Sequence, residues 1–238
     1  MTSQNLRGPR PCTRPCTNPQ HAAPLRRSLT AAALLAATCG AFTGCSSLLP
    51  AAEPPPAHYT LQMSPGGQPD GRSPTAPAAA PMLVVNAPRA AAGFDSARII
   101  YTRQPQRLEY FARSEWVDTP ARMLAPMLVT TLAGRGAFRA VVQAPSTAVG
   151  DLRLDTQVLR LQQEFGAPPS RVRFTLRAQL IDDKTHRVLA ARDFEATANA
   201  ASDDPAGGVA AAQAAVQAVL AELSAFCGDA AASWRPLP

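Results

Sequence analysis

Catalytic vocabulary is what this 238-residue sequence has least of. It contains a single lysine, Lys184, which follows Asp182-Asp183. No G-x-x-x-x-G-K-[ST] loop can therefore be written, and ATP hydrolysis by a P-loop is excluded. A G-x-S-x-G elbow is missing too, which argues against an α/β-hydrolase. Histidine is scarce: beyond the N-terminal stretch only His58 and His186 remain. Neither has a second histidine or a cysteine at ligand spacing, so no metal site is expected. Cys12 and Cys16 have the spacing of half a metal site, but no second pair accompanies them. The adjacent carboxylates Asp182-Asp183 and Asp203-Asp204 lie where turns or helix starts are expected, and there Asp serves backbone hydrogen bonding. No cofactor is expected, and the chain reads as a non-enzyme.

An uninterrupted run of ~20 apolar residues is absent as well. The apolar stretch from Leu29 through Ala37 is too short for a membrane span and right for a secretory h-region. Arg26 and Arg27 precede it, and Phe42-Thr43-Gly44-Cys45 follows. Small residues before a cysteine suit a lipoprotein signal peptidase, which would leave Cys45 as a lipidated N-terminus. This resembles the lipobox of bacterial lipoproteins, with Phe42 in place of the usual Leu. Ser46 follows the cysteine, and by resemblance to the enterobacterial sorting rule this implies the outer membrane, facing the periplasm. The general secretory route is expected, although Arg26-Arg27 also admits the twin-arginine route.

Charge and cysteine usage fit export. The formal net charge is +6, but five arginines precede Cys45 with no acidic residue among them; the rest of the chain has 18 basic and 17 acidic residues. The basic balance thus belongs to a targeting segment, and no nucleic-acid partner is expected. Once Cys12, Cys16 and Cys39 leave with the leader and Cys45 takes its lipid, Cys227 stands alone and no intramolecular disulfide can form.

Four regions follow from composition. Residues 1–44 form a leader and signal peptide. Residues 45–81, rich in Pro, Ala, Gly and Ser, read as a tether with a short strand near 59–61. Residues 82–227 form the domain, and 228–238 a flexible tail. Within the domain, Met82–Val85, Arg98–Tyr101 and Arg107–Phe111 read as strands, the last two around a Gln104-Pro105-Gln106 turn. Asp118-Thr119-Pro120 opens a helix that Gly134-Arg135-Gly136 stops, with Pro126 expected to kink it or shift its start. Phe138–Gln143 is a further strand. Leu152, Leu154, Thr156 and Val158 share one strand face before the pattern shifts to Leu159 and Leu161, implying a bulge. Val172, Phe174, Leu176, Ala178 and Leu180 alternate with polar residues, and a turn at 182–185 leads to a partner strand from Val188 to Thr197. A last helix is predicted from Asp204 to Phe226, with Val209, Val216, Val219, Leu220 and Leu223 on its apolar stripe. The whole is an α+β fold: a mixed or antiparallel sheet of about five to seven strands with two helices packed on one face.

Arg107-Leu108-Glu109-Tyr110-Phe111-Ala112-Arg113-Ser114-Glu115-Trp116, followed by Thr119-Pro120-Ala121-Arg122-Met123-Leu124, resembles the ABC-type transport auxiliary lipoprotein family. Tyr59-Thr60-Leu61 and Ile99-Ile100-Tyr101 resemble two further family strands. The resemblance implies partners: an ABC ATPase, its permease and an MCE-domain (mammalian cell entry) substrate-binding protein, together moving phospholipid or other hydrophobic molecules. It also implies homo-oligomers in some systems. The other reading is a pilot or assembly lipoprotein for an outer-membrane complex. Tyr110, Phe111, Trp116, Arg171, Arg173 and Arg177 are the candidate contacts for a partner or lipid. Trp116 reads equally as a core-sealing aromatic, and the arginines as a solvated sheet face.

Overall fold

The computed structural model describes residues 54–63, 76–166 and 168–236; Cys45 and the segment before it lie outside them. The strands are β1 (Ala57–Tyr59), β2 (Met82–Val85), β3 (Arg89–Ala90), β4 (Arg98–Thr102) and β5 (Glu109–Trp116), then β6 (Ala140–Gln143), β7 (Leu152–Glu164), β8 (Arg171–Asp182) and β9 (Val188–Asn199). Helix α1 (Pro120–Gly134) precedes β6, and α2 (Pro205–Ser233) closes the fold.

All nine strands join one mixed sheet built around β7. Along one edge of β7 lie three short parallel partners: β2 beside Leu152–Leu154, β3 beside Gln157–Val158, and β4 beside Gln163–Glu164. β6 extends the β2 end, while β5 and then β1 extend the β4 end. Along the other edge β8 and β9 add antiparallel. The expected class holds, with more strands than the five to seven anticipated. The additional ones, such as the two-residue β3, are too short to carry any periodicity.

Alternation decides which face is covered. Leu152, Leu154, Thr156 and Val158 point inward, the register shifts between Val158 and Arg160, and Leu161 and Gln163 resume the inner face. The expected bulge is there, and Leu159 sits within it. Val172, Phe174, Leu176, Ala178 and Leu180 continue this face on β8, with Phe194 on β9. Both helices pack against this side, α2 on β8 and β9, α1 on β6 and β2, and they touch each other.

Helix α1 starts as expected, with Thr119 at the N-cap and Pro120 in the first turn. Pro126 lies within it but the helix runs unbroken to Gly134. Pro126 and Arg122 both face solvent, so the carbonyl that loses its partner is open to water and the cost is moderated.

Helix α2 is capped by Asp204, whose side chain accepts from the Gly207 N–H at 2.8 Å. It runs past the predicted end at Phe226 to Ser233, because Cys227 and Ala231 continue the buried stripe. By length and composition α2 could cross a membrane. Here Ala212, Ala215, Val216, Val219, Leu220 and Leu223 are buried in the core instead. Gly208 permits its approach to the sheet: a β-carbon there would overlap the side-chain amide oxygen of Gln163.

The tether strand also belongs to the sheet. β1 pairs in parallel with β5, and Leu61 is 5% exposed within the core.

Candidate interaction surfaces

The outer face of β7, β8 and β9 carries the arginine stripe. Arg171 Nε lies 3.1 Å and Arg173 Nε 2.8 Å from the two oxygens of Glu164. Arg173 Nη1 also donates to Glu195 at 2.6 Å, and Thr175 Oγ1 donates to the same carboxylate at 2.9 Å. Arg177 meets Asp193, its direct cross-strand partner, with two bonds of 2.8 Å. This planar fork-to-carboxylate match is the strongest ion-pair geometry available to an arginine. Burial alone would raise the Glu164 carboxyl, but the Arg173 and Arg171 hydrogen bonds outweigh it and hold it below the usual range. The Arg177 hydrogen bonds likewise hold Asp193 down. The three arginines therefore come together as expected, but each is already matched to an acid.

Tyr110 and Phe111 sit apart from that stripe on β5, with β4 and β7 between. Tyr110 is 38% exposed, and the Arg98 guanidinium stacks over its ring at 4.9 Å. Phe111 joins a cluster that sequence reading missed. Its ring lies 4.6 Å from Tyr101 and 6.4 Å from Phe165, while Tyr101 and Phe165 meet edge to face at 5.6 Å. These residues come from β4, β5 and the end of β7, so no spacing in the sequence signals them. Burial, and then the Glu109 carboxylate, hold the Tyr101 phenol above its usual value. Trp116, by contrast, is 4% exposed and belongs to the core.

The Asp182-Asp183 and Asp203-Asp204 carboxylates are engaged structurally. Asp182 accepts from the Trp234 indole at 2.8 Å and from the backbone N–H groups of Lys184 and Thr185 at 3.1 and 2.9 Å. The Trp234 bond, followed by the Thr185 bond, lowers its carboxyl to about 2. Asp183 pairs with Arg153. Asp203 accepts from the Ser170 N–H at 2.9 Å, and Asp204 caps α2. No cluster of three or more His, Cys, Asp or Glu occurs among the described residues. Cys227 is buried in the core, and burial pushes its thiol up to about 12, so it is no thiolate at physiological pH.

An open cavity of about 570 Å³ lies beside the end of α2, lined by small and apolar residues including Pro77, Ala80, Ala137, Ala231 and Trp234. It has the volume of a small-molecule pocket but lacks convergent polar groups beyond Arg235.

Residues 59–224 match the model of a family described as the ABC-type transport auxiliary lipoprotein component. The chain is similar to a Xanthomonas campestris protein of the DUF330 family, with 27% identity and a TM-score of 0.58 over 66% of this chain and 90% of that one. A second crystal structure, of an uncharacterised protein, shares the fold at 14% identity and a TM-score of 0.54, over 74% of this chain and 98% of that one. No curated protein matches the sequence.

Proposed function

Because the chain belongs to the ABC-type transport auxiliary lipoprotein family, we propose that it is the non-catalytic, lipid-anchored periplasmic partner of an ABC transporter. In this reading Cys45 carries the lipid and holds the domain to the outer membrane. The partners are an MCE-domain substrate-binding protein with its ATPase and permease, and the cargo is phospholipid or another hydrophobic molecule.

The observation that carries the reading is the extent of the family match. It runs from Tyr59 in β1 to Ser224 in α2, spanning the sheet and both helices. The chemistry of the described residues supports it. The Asp pairs that could serve as acids or bases are committed to caps and ion pairs, and the remaining thiol is buried and protonated. Such a domain works by binding and positioning. A diacylated cysteine suits that task, since each buried methylene adds about 0.8 kcal/mol to membrane attachment and two chains together hold a protein stably.

The test is crosslinking in intact cells with a C-terminally tagged chain, followed by mass spectrometry. Enrichment of an MCE-domain protein, or of an ABC ATPase and permease, is the expected result. Recovery of an outer-membrane pore or assembly subunit with no transporter component would overturn the reading.

A further inference from the structure

The described chain begins at Pro54, and Pro54, Pro55 and Pro56 are exposed. β1 then runs parallel to β5, with Ala57 opposite Ser114 and Tyr59 opposite Trp116. Followed backwards, that register points from Ala57 towards the Phe111 end of β5. The polypeptide coming from Cys45 thus reaches the sheet at the end where β4 turns into β5 and β7 turns into β8. Pro54 is the ninth residue after Cys45, a span that at full extension reaches about 30 Å.

That end of the sheet has a distinct surface. The half-buried rings of Tyr101, Phe111 and Phe165 stack there, and the Phe165 N–H donates to Thr102 O at 2.9 Å, joining the two turns. Beside them Arg103, Gln104, Pro105, Gln106 and Arg107 are all exposed. The side chains of Arg103 and Arg107 are 65% and 67% exposed. They share one carboxylate, Glu109, at 3.8 and 3.6 Å, too far for a hydrogen bond. The other acids at this end are occupied: Glu164 by Arg171 and Arg173, Asp203 and Asp204 by backbone N–H groups.

We infer that the β4–β5 turn, with Arg103 and Arg107 flanking the Tyr101–Phe111–Phe165 cluster, rests on the phosphate headgroups of the membrane that holds the Cys45 lipid. Two features of the fold support a lipid surface as the occupant. The short chain from the anchor arrives at this end, which keeps the turn within reach of the headgroups. The chemistry suits a membrane interface: the amphipathic Tyr101 ring beside two apolar phenylalanines, the Arg103 guanidinium over the Tyr101 ring at 5.2 Å, and Arg103 and Arg107 too far from Glu109 to spend their hydrogen-bond donors on it, so that both can fork onto phosphate. The contact would orient the domain, turning the β8–β9 turn at 183–187 towards the periplasm. The inference rests on lipidation of Cys45.

The experiment uses the full mature lipidated chain in vesicles of phosphatidylethanolamine and phosphatidylglycerol. Gln104→Cys and, separately, Lys184→Cys carry an environment-sensitive fluorophore; buried Cys227 leaves the engineered thiol as the reactive one. Lipids with a nitroxide on the headgroup should quench the label at 104 and leave that at 184 bright. Arg103→Gln with Arg107→Gln should lose most of the quenching at 104 while the chain still floats with the vesicles. Equal quenching at both sites, or none at 104 on a floating chain, overturns the headgroup contact and leaves the anchor standing. A label at 104 shielded from a water-soluble quencher in cells, yet untouched by the lipid nitroxide, assigns the turn to a protein partner instead and also overturns it. If Cys45→Ser floats as well as the unsubstituted chain, the anchor fails and the inference with it.

Discussion

The outer face of β8 and β9 and the turn between β4 and β5 are both rich in arginine, and they use it in opposite ways. On the strands, Arg171, Arg173 and Arg177 are matched to Glu164, Glu195 and Asp193 at 2.6 to 3.1 Å. In the turn, Arg103 and Arg107 loosely share Glu109 and project into solvent. The strand arginines satisfy their hydrogen bonds within the fold, while the turn arginines keep capacity for something outside it. A basic stripe in sequence is thus a poor marker of a binding surface until its carboxylates are located, because antiparallel pairing sets an acid directly opposite.

The largest test of this contrast is a phenylalanine truncation in each region. Phe174→Ala, in the fully buried face of β8, should cost about 4 kcal/mol in denaturant unfolding. Phe111→Ala, at the half-buried tip, should cost under about half of that. Equal losses would mean that the tip cluster is part of the same rigid core. Next comes the helix-to-sheet contact: Gly208→Ala forces a β-carbon against Gln163 and should destabilise by about 2 kcal/mol.

The C-terminal latch is third. Trp234→Phe removes a donor to the buried Asp182 carboxylate and should cost about 2 kcal/mol at neutral pH. The folded carboxyl, at about 2, lies below its ordinary 3.8. Its contribution is therefore complete above 3.8 and is lost as pH falls towards 2. The gap between wild type and variant should close over that interval in an acid titration of stability. Smallest is Arg177→Ala, which breaks an exposed, solvent-screened pair and should leave the denaturant midpoint almost unchanged. A larger loss would show that the ladder acts as one network.

Much of the body was legible because its strands are long. In β8 the strict alternation around Phe174 needs only one face buried to become visible, and the pattern shift after Val158 revealed the bulge. Thr119-Pro120 and Asp204-Pro205 announced their helices through capping chemistry that is local in the chain. Sequence reading placed a short strand near 59–61 but left it in the tether, because so short a strand shows no partner; the strand is Ala57–Tyr59, and its place in the sheet comes from β5. It also stopped α2 at Phe226, since the residues that extend it are Cys227, Gly228, Asp229, three alanines and Ser233, too small for the apolar contrast between faces to show. Phe165 carried no signal, as its partners lie about fifty and sixty residues away.

The sequence by itself determined the alternating faces, the helix starts and the family pattern, together with the lack of a phosphate loop or metal-ligand spacing. Each depends on residue types at short, fixed separations. Only the tertiary structure decided which charges are spent and which are free, which Trp is core and which is latch, and where the chain from Cys45 meets the sheet. Those depend on distances between segments remote in sequence, set by the stacking of strands on β7 and by the helices that cover one side of it.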